Sequence, residues 1–145
     1  MKTPMQYSKS GEDLTEQFES CRLVAYADSK GVPTIGYGHT ACVSLGDICT
    51  QEQANSWLLE DIQTAVDAVN RLVKITLDQN EFNALVDFVY NVGQGNFANS
   101  TLLRDLNAGD VDLAANQFQA WDKSGGNVIA GLLRRRIAEY NEFKS

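Results

Sequence analysis

Apolar residues recur every three or four positions through the second half of the chain, as they do on one face of an amphipathic helix. The longest pattern predicts a helix over residues 50–72, and Thr50 and Gln53 have the spacing of a capping box at its start. A second capping box, Asp78 with Glu81, begins the segment "FNALVDFVYNVG", which Gly93 is expected to end. Two long helices are therefore expected here.

Shorter helices are predicted beyond this point. Ser100 has the position of an N-cap for "TLLRDLNAG", and Asp110 begins "VDLAANQFQAWDK", which is interpreted as one helix. The segment "SGGN" is predicted to be a loop, and "GLLRRRIAEYNEF" is predicted to be the last helix. Everything after Thr50 is thus expected to be helix or connecting loop.

The first part of the chain combines a helix with a hairpin. Leu14 and Phe18 share an apolar face in a predicted helix over residues 9–19. The segment "RLVAYAD" predicts a strand, "DSKG" a turn and "VPTIGYGH" the returning strand, and no other sheet is expected. The fold class is therefore α+β and mostly helical. We expect a small hairpin lobe, a larger helical lobe and a cleft between them, which is a usual place for a ligand.

Net charge limits the classes of partner. The 145 residues carry a formal net charge of −7, which argues against a general nucleic-acid-binding protein, because neutralising phosphates needs a basic face. The basic run Arg134, Arg135 and Arg136 is expected to be a solvated helix face paired with nearby acidic residues. No segment has the length and apolarity of a transmembrane span, and the N-terminus lacks the apolar region of a secretory signal.

Three cysteines, Cys21, Cys42 and Cys49, do not make a disulfide framework. With His39 as the only histidine and no C-x-x-C pair, the sequence has too few ligands for a zinc site, and no metal or other cofactor is expected. Cys42 and Cys49 are seven positions apart (49 − 42), close enough for a bridge in an oxidising compartment. Free buried thiols are the ordinary alternative.

Two carboxylates near the hairpin suggest hydrolytic chemistry. Glu19 lies at the predicted end of the first helix, where the helix dipole disfavours the ionised form, although an arginine partner would have the opposite effect. Asp28 lies at the strand-to-turn junction, a polar place where a carboxylate stays ionised. The hairpin would bring the Thr34 hydroxyl near Asp28, where the two groups can hold one water molecule. One protonated acid and one water-activating carboxylate are the minimum needed to cleave a glycosidic bond.

Spacing alone leaves a structural interpretation open. The chain has 19 acidic residues, so two of them nine positions apart (28 − 19) are unremarkable by chance. Asp28 is also followed by Ser, Lys and Gly, and aspartate is a common residue at the start of such a turn. From the spacing alone, a surface hairpin with two incidental acids is the commoner interpretation.

A longer motif favours the catalytic interpretation. Residues 19–40 fit the pattern "E-x-x-R-L-x-A-Y-x-D-x-x-G-x-x-T-I-G-Y-G-H-T", which resembles the active-site segment of bacteriophage lysozymes, the endolysin muramidases. The resemblance continues through "FVYNVGQGNFANSTLLRDLNAGD" and "GLLRRRIAEYNEF", so that it covers residues 8–143. So many matches at fixed spacing make the resemblance highly specific.

The resemblance implies a single lysozyme domain over residues 1–145 with the two-lobed phage-lysozyme fold. The hairpin lobe would occupy residues 20–49, the connecting helix 50–72, and the helical lobe 73–145 packed with the N-terminal helix. The implied activity is metal-independent hydrolysis of the β-1,4 bond between N-acetylmuramic acid and N-acetylglucosamine. Glu19 would be the acid, Asp28 the second carboxylate and Thr34 the hydroxyl that orients water, with inversion at the anomeric carbon.

Other residues have less specific expectations. Tyr90 and Asn91 are candidates for substrate binding, the ring stacking on a sugar and the amide bonding an acetamido group, while packing of Tyr90 is the alternative. His39 is expected to have a structural role, in an ion pair or hydrogen bond with an acid of the other lobe. One of the three arginines at 134–136 is a candidate partner for Glu19. The sequence leaves open whether the Cys21 thiol packs or touches the site.

The resemblance also implies a partner and a place of action. The partner would be bacterial peptidoglycan, degraded for host-cell lysis and phage release by a monomer without stable membrane association. The protein would stay in the host cytoplasm until a separate membrane-perforating protein lets it reach the periplasm. A lytic transglycosylase, which needs no second carboxylate, and a non-catalytic murein-binding module on the same scaffold are the alternatives, with chitinase activity a weaker third.

Overall fold

The computed structural model of the protein describes residues 3–145. The chain divides into two compact units: a hairpin unit, Thr15–Gln63, and a helical unit that combines residues 3–14 with Thr64–Ser145. Two helices, α1 (Lys9–Phe18) and α2 (Gln51–Leu72), contribute residues to both units. The predicted α+β, mostly helical class is confirmed, whereas the predicted lobe bounds stay a prediction.

The hairpin unit contains the predicted ribbon. Strands β1 (Arg22–Ala27) and β2 (Pro33–Gly36) pair antiparallel, with Tyr26 opposite Thr34. Residues 47–49 also pair antiparallel with β1, because Val24 lies opposite Ile48. Hydrogen bonds flank that pair on both sides, from the Ala25 N–H to the Asp47 carbonyl and from the Cys49 N–H to the Leu23 carbonyl, each 2.9 Å long.

Helix α2 begins with the predicted capping box and packs closely against the ribbon. The Thr50 N–H donates to Gln53 Oε1 at 2.9 Å, and the Gln53 N–H donates to Thr50 Oγ1 at 3.1 Å. Gly36 has a φ of 66°, and a Cβ added there would lie 3.2 Å from the Cβ of Ala54. Glycine is therefore needed at this position of the motif both for its φ and for the close approach to α2.

Within the described residues, the helical unit contains the start of α1, the end of α2 and five complete α-helices. They are α3 (Gln79–Val92), α4 (Gln94–Ala98), α5 (Thr101–Asn107), α6 (Val111–Asn116) and α7 (Ala130–Lys144). The Asp78–Glu81 capping box, the Gly93 C-cap and the Ser100 N-cap form as predicted. Phe88 on α3 is fully buried and makes edge contacts with Phe97, Phe118 and Trp121, so aromatic packing joins these elements.

The predicted helix "VDLAANQFQAWDK" is wrong as a single element. Helix α6 ends at Asn116, and a separate 3₁₀ turn covers Phe118–Trp121. Phe118 and Trp121 both contact the ring of Phe88. These two residues are three positions apart, and a 3₁₀ turn, with three residues per turn, aligns them on one side more closely than an α-helix does. Asp110 precedes α6, but its side chain makes no capping hydrogen bond.

The prediction of a single sheet is also wrong, because "SGGN" forms a second hairpin rather than a loop. Short strands β3 (Lys123–Ser124) and β4 (Asn127–Val128) pair antiparallel with Ser124 opposite Asn127. Gly125 and Gly126 connect them with φ values of 59° and 84°. Two consecutive positive φ values define the tight turn that favours a two-residue hairpin, and Gly-Gly adopts them without steric cost.

A cluster of four buried charged residues joins α3 to α7, and it corrects the prediction of a solvated arginine face. Arg135 and Arg136 are 4% and 0% exposed, and Asp87 and Glu139 are both fully buried. Arg135 donates to both carboxylate oxygens of Asp87, at 3.0 Å from Nε and 2.8 Å from the terminal nitrogen. Arg136 donates to Glu139 at 2.9 Å, and its guanidinium lies 5.0 Å from the ring centre of Phe88. Of the three arginines, Arg134 alone is exposed.

Within this cluster, Glu139 has a strongly raised pKa. Burial raises the pKa of Glu139 well above its usual range, and the hydrogen bond and negative charge of Asp87 raise it further, while Arg136 and Arg135 oppose the shift. The stability of the folded chain therefore depends on pH through Glu139.

Replacing Glu139 with glutamine should change the dependence of stability on pH. Because the folded pKa of Glu139 is raised, the folded chain keeps this proton where the unfolded chain releases it. The resulting stability is complete below the unfolded pKa, about 4.3, and declines as the pH rises through the folded value. The free energy of unfolding of the wild type should therefore fall relative to that of E139Q as the pH rises, as measured by urea denaturation.

The control for that experiment is Glu142→Gln on the same helix, which removes a carboxylate from a half-buried position. A wild-type minus E139Q difference that stays constant from about pH 4 to 7 would contradict the raised pKa of Glu139.

Candidate active site

Asp28 closes the turn between β1 and β2 with one oxygen of its carboxylate. Asp28 Oδ1 accepts hydrogen bonds from the N–H groups of Lys30 at 2.8 Å and Val32 at 2.9 Å. Gly31, whose φ is 81°, allows the chain to turn there and donates its N–H to the Asp28 carbonyl. Asp28 Oδ2 accepts no hydrogen bond from residues 3–145, and the residue is half-buried. One carboxylate oxygen is thus fixed and the other is available to a further donor.

The backbone of Val32 links Thr34 to Asp28. The Val32 carbonyl accepts from the Asp28 N–H at 3.0 Å and from the Thr34 hydroxyl at 2.9 Å. Thr34 is 4% exposed, and its hydroxyl proton is committed to this bond. The lone pairs of the Thr34 oxygen therefore remain to accept from a donor such as water. Thr34 and Asp28 thus both donate to the Val32 carbonyl, while their shared hold on a water molecule stays a prediction.

Glu19 follows the last helical residue of α1, as the sequence predicted. Its N–H donates to the Thr15 carbonyl at 3.0 Å, which closes the final turn, and the residue is half-buried. The carboxyl group therefore stands at the negative end of the helix. Glu19, Asp28 and Thr34 all belong to the hairpin unit.

Tyr90 and Asn91 lie in the last turn of α3, in the helical unit. Tyr90 is half-buried, and Asn91 is exposed. Their assignment to substrate binding stays a prediction.

His39 has a partner that the sequence analysis placed wrongly. The imidazole Nδ1 lies 2.9 Å from Asp61 Oδ2, and the ring stacks on Trp57 with the centroids 4.6 Å apart and the planes at 4°. Both partners belong to α2 inside the hairpin unit, not to an acid of the other lobe. Trp57 and Asp61 are four residues apart and share a helix face, which is the signal that could have identified them. His39 itself is 7% exposed, as a structural residue would be.

The three thiols are free, and none of them is fully buried. Cys42 is exposed with a φ of 57°, whereas Cys21 and Cys49 are half-buried. Within residues 3–145, no cluster of three or more His, Cys, Asp or Glu side chains has the geometry to hold a metal ion. No helix in that range is long and apolar enough to span a membrane.

Comparison with known proteins gives consistent matches. The sequence profile described as "Phage lysozyme" matches residues 16–139. The endolysin of Bacillus phage PZA is 46% identical over an alignment of 147 residues, which covers 97% of this chain and 56% of that protein. The chain therefore spans little more than half the length of this relative.

Two solved structures share the fold over nearly their whole length. A variant of the P22 lysozyme superposes with a TM-score of 0.92 at 40% identity, covering 97% of this chain and 99% of that one. The muramidase domain of SpmX from Asticaccaulis excentricus superposes with a TM-score of 0.90 at 38% identity, covering 97% and 98% respectively.

The contact between His39 and Asp61 should be measurable as a coupling energy. The substitutions His39→Asn and Asp61→Asn should each destabilise the protein by about 1 kcal/mol, because each removes the hydrogen bond between the two side chains. The double variant should lose less than the sum, since either change already breaks the contact. Urea denaturation of the four proteins gives the coupling, and strictly additive losses would show that the two side chains do not interact.

Proposed function

This chain belongs to the phage lysozyme family, and from that premise we propose that it is an endolysin muramidase. The proposed reaction is hydrolysis of the β-1,4 bond between N-acetylmuramic acid and N-acetylglucosamine in bacterial peptidoglycan. The proposed role is lysis of the host cell, with the enzyme acting on periplasmic murein after release by a separate membrane-perforating protein. The matched endolysin, lysozyme and muramidase domain support this choice of substrate.

The observation that carries the proposal is the state of Asp28. A carboxylate that takes a proton from water needs one oxygen that no protein donor occupies. Here Asp28 Oδ1 makes both turn bonds, and Oδ2 accepts nothing from the described residues. The turn thus holds the carboxylate in one orientation while leaving an oxygen for water.

In the proposed mechanism, Glu19 protonates the glycosidic oxygen as the bond to the muramic sugar breaks. Asp28 accepts a proton from one water molecule, and the Thr34 oxygen accepts the water's other hydrogen, so that the lone pair of the water faces the anomeric carbon. Positive charge develops on the sugar as the leaving group departs, and ionised Asp28 stabilises it. Attack by this water inverts the anomeric configuration.

Tyr90 and Asn91 are proposed to bind the sugar chain. The half-buried Tyr90 ring offers an apolar face for a pyranose, and the exposed Asn91 amide can both donate to and accept from an acetamido group. These residues would bind substrate and transition state alike, so they would affect KM more than kcat.

Glu19→Gln should abolish murein lysis without unfolding the protein. Glutamine has the shape of glutamate but cannot donate a proton to the leaving oxygen, and losing a general acid lowers the rate by about 10²–10⁴-fold. Clearing of a murein suspension measures the rate, and the melting curve checks the fold. The control is Glu12→Gln in the first turn of α1, which should lyse murein at the wild-type rate. Substantial clearing by folded E19Q would refute the role of Glu19.

Asn91→Ala should raise KM for soluble murein fragments about fivefold with little change in kcat, which corresponds to one hydrogen bond of about 1 kcal/mol. Asn116, an exposed asparagine at the end of α6, provides the matched control, and Asn116→Ala should leave KM unchanged. An unchanged KM for Asn91→Ala would remove Asn91 from the substrate site.

A further inference from the structure

The guanidinium group of Arg22 lies over the ring of Tyr26 at the start of the hairpin. Its central carbon is 4.3 Å from the ring centre, which is a cation–π contact. Among the described residues, Arg22 forms no ion pair, and no acceptor takes a hydrogen bond from its guanidinium. Arg22 is exposed and Tyr26 is half-buried. The ring therefore orients a cation whose N–H donors are available to a ligand.

The irregular register of the hairpin brings these two residues together. Arg22 lies opposite Gly36 and Tyr26 lies opposite Thr34, so four residue steps on β1 (26 − 22) match two steps on β2 (36 − 34). Extra residues on one strand form a bulge, and bulges re-aim side chains beside functional sites. Because Gly36 has no side chain, Arg22 meets no side chain of its partner across the ladder. Its guanidinium instead extends along the ribbon to Tyr26.

This cation lies on the side of the hairpin that carries the candidate water site. Tyr26 and Thr34 are directly opposite each other, so their side chains share one side. The ladder continues to Asp28, because the Asp28 N–H donates to the Val32 carbonyl, and Asp28 is two residues after Tyr26. Two strand residues span about 6.6 Å. A sugar bound at Asp28 would therefore have its substituents within reach of the pair formed by Arg22 and Tyr26.

Charge indicates what this cation would bind. The chain has a formal net charge of −7, so an anionic group on a substrate needs a local cation to hold it. The guanidinium presents parallel N–H donors that match the two oxygens of a carboxylate. In murein, the proposed substrate, the muramic residue carries carboxylates on its lactyl group or on its peptide stem, whereas N-acetylglucosamine is neutral. A carboxylate contact would thus distinguish the two sugars.

We propose that Arg22, oriented by Tyr26, binds a carboxylate carried by the muramic residue of the substrate. Arg22 is then a specificity-determining residue, which favours murein over a neutral glycan of N-acetylglucosamine alone, and Tyr26 is a positioning residue. The inference rests on the proposed function, because that function supplies the substrate.

Calorimetric titration of the non-cleaving variant E19Q tests this recognition. The ligands are a murein tetrasaccharide with its peptide stems and the same tetrasaccharide without stems, which has free lactyl carboxylates. Each is compared with a form in which every carboxylate is converted to a carboxamide. E19Q should bind the carboxylate form about fivefold more tightly, the effect of one exposed charge pair. The double variant E19Q/R22Q should bind both forms equally.

The two ligands identify the source of the carboxylate. A preference of E19Q that appears only with the stem-bearing ligand assigns the contact to the peptide, and one that appears with the stem-free ligand assigns it to the lactyl group. The absence of any carboxylate preference in E19Q would overturn the proposal. A preference that persists unchanged in E19Q/R22Q would also overturn it.

Matched variants in the E19Q background separate recognition from folding and from net charge. Arg104→Gln removes the same charge from an exposed position on α5 and should leave the preference intact. Tyr26→Phe keeps the ring and should retain the preference, whereas Tyr26→Leu should lose most of it. Arg22→Lys keeps the charge without the planar donors, so its preference should be smaller and should disappear at high salt.

The proposal and the proposed function fail in different ways. Equal loss of the preference in the Arg104→Gln and Arg22→Gln proteins would overturn the proposal, because net charge alone would then explain it. If the wild type does not clear murein, the proposed function fails, while the titrations still decide whether Arg22 binds a carboxylate.

Discussion

One antiparallel register determines the geometry of the candidate site. Tyr26 lies opposite Thr34, and Asp28 comes two residues after Tyr26, so Thr34 and Asp28 share a side of the hairpin. A shift of one residue would turn Thr34 to the opposite side. The turn bonds to Asp28 Oδ1 and the bonds to the Val32 carbonyl hold this register at its closed end. Residues 47–49 pair with the other edge of β1.

The protein uses carboxylates in two distinct environments. Asp87 and Glu139 are fully buried and bound by arginines, and their role is to join α3 to α7. Removing one member of such a cluster would leave a buried charge without compensation, which is costly. Asp28 is half-buried, and neutral backbone N–H groups bond to its Oδ1. Its Oδ2 accepts no hydrogen bond from the described residues. The first arrangement serves structure, and the second is suited to chemistry on a bound water.

Much of the fold could be predicted from local sequence. Helix ends were predicted correctly where they depend on residues close together in the sequence. This holds for both capping boxes, for the Ser100 N-cap and for the end of α3 at Gly93. The split of the helix after Asn116 depends on two aromatic residues meeting Phe88, a contact that no local pattern shows. The second hairpin was predictable in principle from Gly125 and Gly126, although its strands have two residues each and lack an apolar alternation.

In the candidate site, too, features that depend on nearby residues could be predicted, whereas contacts between distant residues could not. The spacing of Asp28 and Thr34 follows from the hairpin register, and Glu19 comes directly after α1, close to where the sequence predicted the helix to end. The burial of Arg135 and Arg136 could not be predicted, because a run of basic residues is normally solvated and Asp87, the partner of Arg135, lies far away in sequence. The Asp61 partner of His39 could be predicted only by taking Asp61 together with Trp57, which lies four residues earlier on the same helix face.

The central claim is that a water molecule held by Asp28 and Thr34 attacks the sugar while Glu19 supplies the proton. Digestion of purified murein, followed by mass analysis of the released muropeptides, tests it most directly. The account predicts products that end in a free reducing N-acetylmuramic acid, each having gained one water molecule. Products that end in anhydro-muramic acid would show that a sugar hydroxyl, not that water, is the nucleophile, and would contradict the account.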